Sequence, residues 1–334
     1  MGCRRSEAPG WLSVGLPVLF LAAVPLHSVA FTPTHHSRGG FGARTGPRGA
    51  PVGRHHRIPC RGRLHDEPPS VPMAVPEERT GQRTQLAKGK GPSPVLVLGG
   101  DTLETRPKHV ALVTSAWLVS FIALKPVLDL WMSSPSPEQL VSVSASALAS
   151  MIFSDLFSGL FHWVADNYGN GRTPILGGVI EAFQGHHVNP WTITHRSFFN
   201  NVHKIAQAAI PLTLLVCVLT TSPEARLFWV IFFNAQILSQ EFHKLSHTVN
   251  PPPWASWLQA RNVILSRKEH GLHHSSPFES HYCILTGMCN KPLDRFNVWR
   301  RLEAIVYRVN GVEPNCWKED PSLKKFSLSP SNSK

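Results

Sequence analysis

Residues 141–166 read VSVSASALASMIFSDLFSGLFHWVAD, and this stretch decides the fold class. From Val141 to Leu160 it holds Ser, Ala and apolar residues with the single exception of Asp155, whereas a helix of a water-soluble bundle carries a polar face. At about 20 residues per crossing, the segment Gln139–Val164 is long enough to span a bilayer. A carboxylate inside such a helix is costly and is as a rule paired or functional, so Asp155 needs a partner. The stretch closes on HWVAD, which puts His162 and Asp166 four residues apart on one helix face.

Working outward, three more apolar stretches appear: His109–Trp131, Ile205–Thr220 and Ala225–Phe242. Pro211 inside the third does not forbid a membrane helix. The expected fold is therefore an all-α integral membrane protein with about four transmembrane helices. In that topology the second crossing ends at His162, the next loop holds His186 and His187, the third crossing follows His203, and the fourth ends at His243, all on one side. Arg106, Lys108, Arg172, Arg196, Lys204, Lys244, Arg267 and Lys268 fall on the histidine side, against Arg226 in the opposite loops and Lys125 about a turn inside. By the positive-inside rule the histidines face the cytoplasm or its plastid equivalent, the stroma. After Pro251, Pro252 and Pro253, the segment Trp254–Lys268 is expected as one amphipathic helix in the headgroup layer, with Trp254, Trp257, Leu258, Ile264 and Leu265 on its apolar face.

The beginning of the chain has a different composition. Residues 1–30 have the basic start, apolar run and small residues of a signal peptide, and residues 31–64 have seven Arg and no acid, the composition of a transit peptide. A signal peptide followed by a transit peptide that begins at Phe31 resembles the bipartite presequences of proteins imported into secondary plastids. The expected organisation is a signal peptide at 1–30, a transit peptide and disordered linker at 31–105, a membrane domain at 106–318 and a polar tail at 319–334. Residues 1–108 hold 15 Lys+Arg against 7 Asp+Glu, so most of the net charge of +12 belongs to this leader. That asymmetry excludes a basic nucleic-acid footprint on the folded part. The six cysteines lie at no zinc or disulfide spacing and suit a reducing compartment.

Most of the eighteen histidines lie between His162 and His281, many at the three- and four-residue spacings that share a helix face. His162, His186, His187, His203, His243, His247, His270, His273 and His274 make nine imidazoles on one side of the membrane, and a single zinc takes about four ligands. Two metal ions are the simpler account. Imidazole suits Fe, Cu, Ni and Zn alike. Ligands at crossing ends and in loops argue against a metal transporter, which places them near the bilayer midplane.

The motifs HWVADNYGN, FQGHHVNPWTIT, FHKLSH and RKEHGLHHSSPFESHYCILTG resemble the Kua family of membrane lipid desaturases, over about residues 105–318. Within it, NYGN, FQGHH with PWTIT, and NNVH are similar to the plastid branch. The resemblance implies a non-haem enzyme with two Fe ions that uses O2 as co-substrate and two electrons to desaturate an acyl or alkyl chain. Carried over by position, it implies His162, His186, His187, His243, His247, His270, His273 and His274 as metal ligands, His203 as a ligand in the plastid branch, and Asp166 as a ligand or a partner orienting an imidazole. His195 and His281 are left out as bystanders. The plastid branch implies a trans double bond at carbon 3 of palmitoyl chains in phosphatidylglycerol, with ferredoxin as electron donor. The alternative is a vinyl-ether-forming plasmanyl-lipid desaturase of the endoplasmic reticulum, served by cytochrome b5.

Overall fold

The computed structural model describes residues 93–96 and 98–329, all within one compact unit, Gly89–Lys334. The described residues are helical, with no strand: α1 (Pro107–Ala123), α2 (Lys125–Met132), α3 (Pro137–Asn167), α4 (Gly177–Val188), α5 (Phe198–Leu219), α6 (Pro223–His247), α7 (Pro253–Ala260), α8 (Arg267–His273), α9 (Asn290–Arg295), α10 (Val298–Asn310), α11 (Asn315–Glu319) and α12 (Pro321–Leu328). The segments expected as a signal peptide and as nearly all of the transit peptide and linker lie outside the described residues, as do residues 330–334 of the expected tail.

The longest helix is specified at its start. The Ser136 hydroxyl accepts from the Gln139 backbone N–H, the Gln139 side chain accepts from the Ser136 N–H, and Pro137 and Glu138 fill the first turn. Such a cap is worth about 1 kcal/mol. With 31 residues, α3 is roughly 46 Å long at 1.5 Å per residue. That exceeds a hydrocarbon core of about 30 Å, so its last turns, with His162 and Asp166, lie beyond the apolar layer when its first turns sit at the opposite surface.

Small residues let α3 and α6 approach closely. Ser146 Oγ donates to the Glu224 carbonyl at 2.7 Å and Ser150 Oγ to the Phe228 carbonyl at 2.6 Å. Deeper in the bundle, Val113, Val202, Ala206, Phe232, Phe233 and Ile237 form the core between α1, α5 and α6, with Phe153 and Phe157 of α3 packed against it. Leu118, Phe121, Ile122, Val141, Leu148 and Val218 point outward. The buried Arg226 donates to the carbonyls of Ala123, Cys217 and Thr220, satisfying the last turns of α1 and α5.

Three expectations change. Among the described residues two helices, α3 and α5, are long and apolar enough to cross a membrane, or up to three spans if α1 and α2, bent by 41° at a break next to Pro126, count as one. The fourth expected crossing, α6, is not among them. Its Asn234 and Gln236 interrupt the apolar run and find partners inside the bundle, on Ser120 Oγ at 2.9 Å and the Ser154 carbonyl at 3.0 Å. The end of the expected linker is also ordered: Asn200 donates to the carbonyls of Thr102 and Glu104, and Arg196 pairs with Asp101. Finally, the helix expected over Trp254–Lys268 stops at Ala260, and Asn262 takes a left-handed conformation (φ 55°). Trp254 and Trp257 stay outside while Ile264 and Leu265 turn inward, because Leu265 N–H must reach the Leu285 carbonyl at 3.0 Å.

Candidate metal centre

The ends of α3, α4 and α6 meet the short helix α8, and together they bring nine of the ten predicted side chains into two adjoining groups. His186, His243, His247, His270 and His274 form one; His162, Asp166, His187 and His273 form the other, and in each the donor atoms lie within 4.8 Å of one another. Residues four apart stay together, as the helical repeat requires: His162 with Asp166, His243 with His247, His270 with His274. Adjacent residues separate. His186 and His187 go to different groups, as do His273 and His274. Gly177 seats α4 for this, since a Cβ there would lie 2.4 Å from the Gly171 carbonyl oxygen.

In the five-histidine group the Nε2 atoms of His186 and His270 each lie 2.9 Å from His247 Nε2, and His243 Nε2 lies 3.2 Å from it. A neutral imidazole has one N–H, so His247 Nε2 cannot satisfy three such neighbours by hydrogen bonding. Burial makes imidazolium costly: it pushes His186 and His270 well below the ordinary imidazole range, and burial together with His186 pushes His274 down as well. The rings are thus neutral, with nitrogen lone pairs aimed at one another.

The second group is centred on a carboxylate. Asp166 Oδ2 lies 3.1 Å from His187 Nε2, 3.2 Å from His162 Nε2 and 3.4 Å from His273 Nε2. Despite those distances Asp166 Oδ1 and Oδ2, His187 Nε2 and His273 Nε2 make no hydrogen bond of good geometry. Two tautomers are set from behind: His162 Nδ1 donates to the Tyr282 carbonyl at 2.9 Å and His273 Nδ1 to the Ser280 carbonyl at 2.8 Å. With the proton on Nδ1, each Nε2 presents a lone pair toward Asp166. Burial holds the His273 imidazole neutral, pushing it down to about 4.

Buried polar atoms without partners are rare and call for an explanation. Most of those among the described residues belong to these two groups: both oxygens of Asp166, both ring nitrogens of His187, Nδ1 of His243 and His270, and Nε2 of His273 and His274. Converging nitrogen and carboxylate donors left unsatisfied fit metal ions, and imidazole with carboxylate suits iron among others.

His203 is the exception among the predicted residues. It lies in neither group; its Nδ1 bonds the Asn200 carbonyl at 2.8 Å and its ring stacks on buried His109 of α1, centroids 3.9 Å apart. Its place on the first turns of α5 turns it toward α1. His195 is exposed, and His281 pairs with Asp294 at 2.9 Å; neither joins a group. Sequence reasoning missed the carbonyls of Ser280 and Tyr282. No side-chain pattern marks a backbone acceptor, although their neighbours Phe278 and His281 sit in the left-handed region (φ 59° and 56°), a cost of about 1–3 kcal/mol each.

A model of the lipid desaturase domain matches residues 151–317, the segment holding all nine grouped residues. The chain is 42% identical over 176 residues to "Fatty acid desaturase 4-like 1, chloroplastic" of Arabidopsis thaliana, covering 52% of this chain and 60% of that protein. It is 36% identical over 183 residues to "Plasmanylethanolamine desaturase 1" of Mus musculus (52% and 68%) and 31% identical over 206 residues to "Plasmanylethanolamine desaturase" of Myxococcus xanthus (60% and 73%). Against three plant relatives the chain spans 54–64% of their length. No solved structure matches. The matched segment, with relatives in both groups of desaturases, places this chain in the lipid desaturase domain family.

Proposed function

We propose that this chain is an O2-dependent membrane lipid desaturase that introduces a trans double bond at carbon 3 of palmitoyl chains in plastid phosphatidylglycerol. The observation that carries the reading is the pair of unsatisfied donor groups, one of them built on the end of the membrane-capable helix α3. In it, His186, His243, His247, His270 and His274 hold one iron and His162, Asp166, His187 and His273 the other. Two irons supply the oxidising power that removing hydrogen from an unactivated methylene pair demands. The reaction balances when the two hydrogens, O2, two electrons and two protons leave as two waters. The protein's part is to hold the acyl chain at the groups and keep water away. Donor groups at helix ends sit near the headgroup layer, where carbon 3 lies just below the glycerol ester.

The plastid assignment draws support from the presequence composition, from the NYGN, FQGHH and NNVH motifs, and from chloroplastic relatives at 42% and 40% identity. It makes ferredoxin the electron donor; the plasmanyl reading, supported by the mouse and bacterial relatives, makes it cytochrome b5. Expression in a host lacking both activities, followed by lipid profiling by headgroup with double-bond position and geometry determined, separates them. The expected result is trans-3-hexadecenoate confined to phosphatidylglycerol. New vinyl-ether lipids with an unchanged phosphatidylglycerol pool would transfer the chain to the plasmanyl reading, and no lipid change would overturn both.

A further inference from the structure

The strap of backbone from Glu279 to Asn290 connects the Asp166-centred group to a residue that touches no member of it. Asp155 is fully buried in α3, seven residues before His162. Its Oδ1 accepts from the N–H groups of Thr286 at 2.8 Å and Gly287 at 2.9 Å, and its Oδ2 from the N–H of Cys289 at 2.9 Å. Three amide donors on one buried carboxyl group satisfy both of its oxygens, as burial of a polar group requires. One turn on, Ser158 Oγ accepts from Ile284 N–H at 3.1 Å. Beside it Gly159 lets the strap lie directly on the helix, since a Cβ there would fall 2.5 Å from Cys283 Sγ and 3.2 Å from Cys283 N.

Positions 155, 158, 159 and 162 share one face of α3. The first three seat the strap and the fourth uses it: the Tyr282 carbonyl accepts a hydrogen bond from His162 Nδ1–H and the Ser280 carbonyl one from His273 Nδ1–H. The imidazoles of the five-histidine group make no hydrogen bond to the strap; the Nε2 atoms of His186, His243 and His270 converge on His247 Nε2 instead. We propose that Asp155 is a positioning residue for the Asp166-centred group alone, holding the strap so that its carbonyls orient two of that group's imidazoles. This rests on the two-metal reading above and adds to it a division of labour: one metal group depends on a carboxylate inside the apolar part of α3 and the other does not.

The test uses the full chain purified in detergent and loaded with 57Fe, comparing wild type with Asp155→Ala, Asp155→Asn and Gly159→Ala. Iron per chain, the Mössbauer spectrum and hydrogen exchange of the strap amides are measured. Wild type is expected to hold about two irons. Asp155→Ala is expected to hold one, with the spectrum of an isolated ion, and its 286–289 amides to exchange at least about tenfold faster. Asp155→Asn keeps the Oδ1 acceptor and loses the one facing Cys289, so it falls between. Gly159→Ala displaces the strap without removing any hydrogen-bonding group and is expected to follow Asp155→Ala; with Asp155→Asn it carries the test if Asp155→Ala does not fold. Two irons with a wild-type spectrum in Gly159→Ala or Asp155→Ala would overturn the proposal. So would equal loss of both irons, because the selectivity would be gone. A wild-type chain with fewer than two irons would overturn the two-metal reading itself, a failure distinct from that of the strap.

Discussion

The two donor groups lie side by side and are built differently. The five-histidine group has one donor more than its neighbour and is held ring against ring, as in His186 against His243 and His247 at centroid distances of 4.5 and 4.6 Å. The Asp166-centred group has three imidazoles and one carboxylate, with two of the rings locked from behind by carbonyls. One group has donors to spare; the other has geometry to spare. A metal held by redundant ligands tolerates the loss of one, whereas a metal held by a minimal and oriented set does not.

The largest effect should therefore come from the smaller group. Asp166→Ala leaves three imidazoles and removes the oxygen on which all three converge. It is expected to abolish its iron and all activity, read as one iron per chain and no detectable product. His270→Ala leaves four imidazoles in its group. It is expected to cost about 100-fold or more in product formation while the chain retains most of its second iron, since a lost ligand spoils O2 activation before it empties a four-donor site. If the iron losses run the other way, the redundancy argument is wrong and the ring-packed group is the weaker one.

That partition was only partly legible in the sequence. Spacing by four marks residues on one helix face, and His162 with Asp166, His243 with His247, and His270 with His274 do share a group. The division of each His-His pair was not legible. Adjacent residues on a helix point about 100° apart, since there are 3.6 residues per turn, so a pair at a helix end placed between two groups serves both; the count of imidazoles pointed to two ions, and only the packing of α4 and α8 against α3 and α6 reveals which residue serves which. The four long apolar stretches were legible as helices because apolar runs are local signals. The partners of the polar residues of α6 were not, because they lie on other helices: Asn234 on Ser120 and Gln236 on the Ser154 carbonyl.

His203 tests the comparison from outside. The family resemblance implies a ligand there, but the ring stacks on His109 and bonds the Asn200 carbonyl. His203→Ala should leave both irons in place and remove a stacked contact joining α1 to α5. Aromatic pairs of this kind are worth about 0.5–1.5 kcal/mol, or a few degrees in Tm at about 2–4 °C per kcal/mol for a domain of this size. Loss of an iron from this variant would mean that α5 turns in solution to bring His203 to a metal group.

The smallest effect is expected at a position in the middle of the strap. His281 lies between the two residues whose carbonyls orient His273 and His162, and its side chain faces away from the metal groups, toward Asp294 at 2.9 Å and Glu269 at 3.6 Å. Its backbone is what the strap uses: the His281 N–H donates to Asp294 Oδ2 at 3.2 Å and helps hold the turn. His281→Ala keeps that N–H and both neighbouring carbonyls, and removes the partly exposed contacts of the imidazole with Asp294, Glu269 and Ser280 Oγ, worth about 0–1 kcal/mol. Iron content, the Mössbauer spectrum and product formation are expected to stay within about twofold of wild type, because a backbone acceptor is indifferent to the side chain beside it. A loss comparable to that of Asp155→Ala would show that the strap acts through its side chains, and the contrast between a backbone-oriented group and a ring-packed one would fall with it.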